Sequence, residues 1–275
     1  MNGRGRWGVK INTPAIISGN DTDAQAFITA AGITNSTQQS AINTLVTNLK
    51  GYGIWTKMKA IYPMVGGTAT THKFNLKNPT DSNAAFRLVF GGGWIHSANG
   101  ALGNGVNTYA NTFLSPLSLT TYNYHLSQYS RTQITSTNSH DMGCEQGSIY
   151  GYNFDLYQYF NSVSAKGFLD GDYPSNASQS NNTNTLGLLI GNRTSSTIQK
   201  TFFNGDLLNQ NTNLRIFPLP STNVFIGATN RDEIASSFST KQCGFASIGD
   251  GLTDTEAANF YTAVQAFQTT LGRQV

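Results

Sequence analysis

From residue 66 to residue 252 the sequence reads as a succession of short strands. HKFNLKN, AFRLVF, YANTFLS, YHLSQYSRT, IYGYNFDLYQYF, TLGLLIGN, TIQKTFF and NVFIGAT are apolar or alternating runs, each bounded by Gly, Asn, Pro or Ser. Runs of this length and punctuation suit pleated, partly buried strands joined by turns. The sharpest turn signal is TIQKTFFNGDLLNQ, where Asn204-Gly205 supplies the two positive φ angles of a type I′ hairpin. Only 11% of the residues are charged, against about 25% in ordinary globular chains. Solubility must therefore come from neutral Asn, Ser and Thr, and the 28 glycines suit a turn-rich chain. The expected class is mainly β, an antiparallel sandwich, and a chain of 275 residues can bury one sizeable core.

Helical patterning is confined to the two flanks. Asp21, Thr22 and Asp23 offer caps before AQAFITAAG, and Gly32 ends that run. Ser36 opens a capping box with Gln39, and Ala41, Ile42, Leu45, Val46 and Leu49 follow at helical spacing until Gly51. A third helical segment is expected in IWTKMKAIY, ending at Pro63. At the other end, Thr253 and Glu256 form a capping box that opens a helix over 253–272, with Phe260, Val264 and Phe267 on its apolar stripe. The domain reading is an N-terminal arm over 1–20, a helical attachment segment over 21–67, and a sandwich with its closing helix over 68–275. Trp7, Ile11, Ile16 and Ile17 are apolar for a solvated tail, which suits an arm that orders against a partner, with a flexible tail as the alternative. DGDYPSNASQSNNTNT, over 170–185, reads as a long exposed loop.

The net charge of +3 comes without any dense Lys/Arg stripe, so no nucleic-acid face is expected. No apolar run is long enough to span a membrane. The N-terminus has no apolar core of the secretory type, so a protein made in a cytoplasm is expected. Cys144 and Cys243 lack metal-ligand spacing; two buried free thiols are expected, with a disulfide across the sandwich as the alternative.

The order of the strand motifs over 68–267 resembles the laminin G-like, concanavalin A-like jelly-roll family. The carrying residues are HLSQYSRT (125–132), LLIGNRTSSTIQKTFFNGDLL (188–208), NVFIGATNR (223–231) and CGFASIGDGLTDTEAANFYTAVQAF (243–267). More narrowly, residues 23–67 and the ending GLTDTEAANFYTAVQAFQTTLGR are similar to modules of tailed-bacteriophage virion proteins, in which a short helical segment precedes the jelly roll. This resemblance implies a non-enzymatic fibre, decoration or tail component. Its partners would be other virion proteins reached through residues 1–65 and further copies of itself, with a trimer as the number the resemblance suggests. A host-surface glycan is the implied ligand. A carbohydrate-binding module or a glycan-cleaving enzyme is the alternative, since a sandwich of this type hosts many functions.

The chemistry legible in the residues is sparse. Jelly-roll glycosidases need paired carboxylates, and the Glu-x-Asp-x-x-Glu signature is absent; Asp141 and Glu145 are the nearest pair. His72, His96, His125 and His140 are scattered without zinc-ligand spacing, and no G-x-S-x-G elbow occurs. Neither a cofactor nor a metal is expected to be required. Asp170 and Asp172 form a D-x-D pair, a calcium-loop candidate set against two solvated loop charges. The ligand-binding candidates are aromatic, Trp94, Tyr150, Tyr152, Tyr157 and Tyr159, set against ordinary core and cross-strand packing as the alternative. Strand alternation would place Tyr150, Tyr152 and Phe154 on one face and Tyr157 and Tyr159 on the other.

Overall fold

The structure, a computed structural model, describes residues 19–134, 139–147, 152–157, 165–171, 175, 177–181 and 184–275. The chain is built in three layers: helices, a first sheet and a second sheet. Its strands are β1 (Met58–Tyr62), β2 (Val89–Gly91), β3 (Ile95–Ser97), β4 (Gly100–Leu102), β5 (Tyr109–Asn111), β6 (Tyr124–Ser130), β7 (Met142–Glu145), β8 (Asn153–Tyr157) and β9 (Ala165–Gly171). They continue as β10 (Ala177–Asn181), β11 (Gly187–Ser195), β12 (Ile198–Phe203), β13 (Asp206–Asn211), β14 (Phe225–Ile226), β15 (Thr229–Arg231), β16 (Ile234–Ser236) and β17 (Gln242–Gly249). The first sheet runs β13-β12-β11-β6-β17-β4-β3, with β1 added to β17. The second runs β10-β9-β8-β7-β14-β5-β2, with β15 paired to β7 and β16. Among the described residues pairing is antiparallel except between β7 and β15, which run parallel.

Alternation along the strands sorts residues into two cores. Leu126, Leu189, Ala246 and Ile248 of the first sheet meet Met142, Cys144, Phe154, Leu156 and Phe168 of the second. The neighbouring positions Tyr129, Leu188, Ile190, Phe202 and Phe245 face the helices instead. Strand β6 is thus covered on both sides, and all seven of its residues are buried. The helices α1 (Thr22–Ala30), α2 (Ser36–Gly51) and α4 (Asp254–Thr270) set Phe27, Ile28, Ile42, Leu45, Leu49, Phe260, Val264 and Phe267 against that face. The stripe of α2 could have packed on the sandwich or on another subunit; it packs on the sandwich.

Several local signals hold as read. Thr253 and Glu256 make the expected reciprocal cap on α4. Asn204 and Gly205 both have positive φ, 51° and 88°, at the β12–β13 tip. A Cβ at Gly205 would also lie 2.9 Å from the Tyr261 ring, so the turn needs glycine on two grounds. Cys144 and Cys243 are buried free thiols.

Other expectations are corrected. The cap of α2 is Asn35, whose side chain accepts from the Gln38 N–H, one residue earlier than Ser36; Asn caps a helix as well as Ser does. IWTKMKAIY is not a helix: after a short 3₁₀ turn (Trp55–Lys57) it becomes β1. Pairing with Ala246–Gly249 of β17 overrides its local pattern. The sandwich therefore begins inside the segment read as an attachment. HKFNLKN is not a strand, because a one-turn helix α3 (Ala69–His72) and an isolated Asn75–Asn78 bridge occupy it. The stretch 170–185 is not a free loop throughout, since Asp170 and Gly171 end β9 and Ala177–Asn181 forms β10, paired to Ala165–Leu169.

Arg273, just beyond α4, closes the first layer onto the second. Its fully buried guanidinium donates to the carbonyls of Pro63 (2.7 Å), Met64 (2.8 Å), Gly244 (2.7 Å) and Ala98 (3.2 Å). Its Nε donates to Gln268 Oε1 at 2.6 Å. A buried cation held by carbonyl dipoles ties the start of the sandwich to its end.

Candidate functional site

Two loops meet at one end of the sandwich and leave a cleft of about 360 Å³. One loop carries β5 into β6 through a 3₁₀ turn over Pro116–Ser118, started by the Ser115 side chain. The other follows β13. Leu117, Thr121, Tyr122 and Tyr124 line one wall, and Arg215, Ile216, Phe217, Pro218 and Leu219 the other. Leu117 is 61% exposed and Ile216 70% exposed, so the rim presents apolar side chains to solvent. Tyr122 has a left-handed φ of 58°. A bulky residue is held there only when its surroundings enforce it, at about 1–3 kcal/mol, and such strain clusters at ligand sites.

The floor of the cleft rests on a buried ionic triad. Asp170 of β9 points between the sheets, fully buried, where Arg193 of β11 donates to its Oδ2. Arg215 Nε donates to its Oδ1 at 2.7 Å and the Tyr124 hydroxyl to Oδ2 at 2.8 Å. Arg215 also donates to the carbonyls of Phe217 and Pro218, which fixes the cleft wall to the floor. Burial opposes the Arg215 charge, but Asp170 outweighs it and raises the guanidinium pKa. Burial likewise drives the Tyr124 phenol upward, with the Asp170 charge adding to the effect, so it stays a donor. Two guanidiniums against one carboxylate leave one net positive charge beneath the cleft.

This arrangement corrects the reading of Asp170 as a calcium-loop ligand. Asp170 is a buried strand residue, and both its oxygens accept from guanidinium groups. Asp172 lies outside the described residues, as do Tyr150, Tyr159, Trp7, Ile11, Ile16 and Ile17. Of the remaining aromatic candidates, Tyr152 adjoins the cleft through its ring contact with Phe217, 5.7 Å between centroids. Trp94 is elsewhere: it is half-buried against Phe90, and its indole N–H donates to the Tyr109 carbonyl at 3.0 Å. Tyr157 is fully buried and its hydroxyl donates to Gln179, which fits the packing alternative and not an exposed platform. The sequence did not mark Tyr122, Phe217 or Arg215; their only signal was their place in Pro- and Thr-punctuated loops.

Asp141 and Glu145 do not act as a pair. Asp141 is fully buried beside the Lys241 ammonium, and Glu145 holds Arg231 Nε at 2.6 Å. His72 and His96 are brought together, Nδ1 to Nδ1 at 2.9 Å, although they lie 24 residues apart. Burial pushes His72 down to about 3, so the contact is one between neutral rings. His125 is buried in β6, as its strand position suggested, against Ser247 and the Asp250 carbonyl.

No family model matches the sequence, and neither does any curated protein. Solved structures do match. Domain 4 of AbnA, an extracellular arabinanase of Geobacillus stearothermophilus solved in complex with arabinotriose, superimposes with a TM-score of 0.54. It is 14% identical, and the match covers 74% of this chain and 98% of that domain. The chain folds as a jelly-roll sandwich. A mutant of the Trypanosoma rangeli sialidase displaying trans-sialidase activity gives a TM-score of 0.53 at 10% identity, over 83% of this chain. The match covers 39% of that sialidase chain.

Proposed function

We propose that this protein is a non-catalytic, glycan-binding jelly roll displayed on a tailed-phage virion, and that the cleft at the end of the sandwich takes the saccharide. The observation that carries the reading is the cleft itself. It is concave, walled by Tyr122, Phe217 and two exposed aliphatic residues, and floored by fixed polar groups, which is the general make-up of a small-molecule site. The net positive charge below it favours an acidic sugar over a neutral one. The likeness to an arabinanase domain solved with arabinotriose supports a sugar-binding use of this architecture, though a fold alone does not carry a function. The virion assignment rests on the sequence similarity of residues 23–67 and 251–273 to phage modules.

An array of neutral and acidic glycans, probed with the intact chain, is expected to give binding concentrated among the acidic ones. Tyr122→Ala is then expected to weaken that binding by about 10-fold, on the scale of one aromatic contact. A folded protein that binds no saccharide, or that releases product from a polysaccharide, sinks the proposal.

Attachment would run through the arm, because Trp7, Ile11, Ile16 and Ile17 gain more from an interface than from water. Deleting residues 1–20 is expected to leave a folded domain that is missing from purified particles by mass spectrometry. Normal incorporation of the truncated chain would remove the arm from the account.

A further inference from the structure

The outer face of the second sheet carries a cluster built from other residues. Met142, Cys144, Phe154 and Leu156 take the core side of β7 and β8, so Glu145 and Asp155 lie on the opposite side. Gly143 stands across from Asp155 in the ladder. A Cβ there would come within 2.1 Å of Asp155 Oδ1, so glycine alone lets that carboxylate lie flat across the strand. Just before β7, His140 turns its Nδ1 to the same point, 3.4 Å from Asp155 Oδ1 and 3.9 Å from Glu145 Oε1. One donor atom from each of the three lies within 4.8 Å of the others. Asp155 is fully buried, yet among the described residues its Oδ2 has no hydrogen-bond partner. A buried carboxylate oxygen without a donor is costly and calls for an unseen partner.

We propose that His140, Glu145 and Asp155 form a site for a divalent transition metal of the zinc class. One imidazole and two carboxylates are donors zinc accepts at about 2.0–2.2 Å, which sets ligand atoms roughly 3.3 Å apart in a tetrahedron. The His140–Asp155 spacing of 3.4 Å already meets that requirement, and Glu145 Oε1, 3.9 Å from His140 Nδ1, must draw closer to complete the set. Calcium, which takes about six to eight oxygens, finds too few here. The Thr229 hydroxyl donates to Asp155 Oδ1 at 2.6 Å and holds the carboxylate in place, as outer partners of metal ligands do. Arg231, half exposed, covers Glu145 and can leave without disturbing the sheet. The donors show no ligand spacing along the chain because they meet only through the pairing of β7 with β8.

The test is titration of chelator-stripped full-length protein with zinc by calorimetry, and with cobalt by visible absorption. One equivalent is expected to bind, with a rise in Tm and cobalt bands lacking thiolate charge transfer. Glu145→Gln, at a partly exposed position that tolerates an isostere, is expected to lower zinc affinity by at least about 10-fold with unchanged circular dichroism. His96→Ala, which removes the other histidine contact, is expected to leave binding intact. Absence of stoichiometric zinc binding, zinc binding indifferent to Glu145→Gln, loss of binding in His96→Ala, or displacement of zinc by equimolar calcium would each overturn the assignment.

Discussion

Replacing Asp170 with alanine is expected to cost the fold about 3–5 kcal/mol, because it strands two cations in the interior. Arg193 and Arg215 are both buried, and Asp170 is the carboxylate each one meets. Their remaining hydrogen bonds go to carbonyls of Ser195, Ser196, Phe217 and Pro218, which cannot neutralise them. The variant also removes the acceptor of the Tyr124 hydroxyl. Urea unfolding of the two proteins side by side measures the loss as a shift in midpoint at constant slope. The triad as a whole need not be a net stabiliser, since desolvating three charges is expensive. Replacing Asp170, Arg193 and Arg215 together by apolar residues should therefore cost less than Asp170→Ala alone. A single-variant loss below about 1 kcal/mol would mean that water reaches the triad.

Truncating Phe260 to alanine is expected to cost about 3–5 kcal/mol as well, by a different route. The ring is fully buried between α4 and the first sheet, 5.9 Å from both the Phe245 and the His125 rings. Its neighbours are held by two layers of backbone, so the space it leaves cannot collapse, and a cavity term adds to the lost transfer energy. Thermal and urea unfolding should agree on the loss. A change under about 1 kcal/mol would show the helix to be peripheral, contrary to its place in the core.

The parts of this fold that were legible in the sequence are those fixed within a few residues. The Thr253/Glu256 cap, the Asn204-Gly205 turn and the stripe of α4 depend on neighbours one helical turn or one hairpin away. The strand runs announced a sandwich because alternation is itself local. What failed was whatever a distant segment decided. MKAIY becomes a strand because β17 offers it an edge. Asp170 looked like a loop charge until Arg193 and Arg215, 23 and 45 residues on, came to it. Asp141 and Glu145 looked like a pair along the chain, yet Lys241 and Arg231 claim them separately. The cleft was invisible for the same reason: Tyr122 and Phe217 are ordinary loop residues until the two loops meet.

The Arg273 clasp has a bearing on when the molecule can exist as well as on how it holds together. Its guanidinium reaches the Met64 carbonyl across 209 residues, and β17, which supplies the edge for β1, β4 and β6, is the last strand. On a ribosome, β6 can pair with β11 first, but its other edge has no neighbour until β17 has emerged. The backbone edges of β1 and β6 that pair with β17 stay open in that interval. Closure of such distant pairs is slow compared with local helix formation. The first sheet therefore closes only after β17 has been made, and until then the nascent chain carries an open strand edge that must be shielded from its own kind.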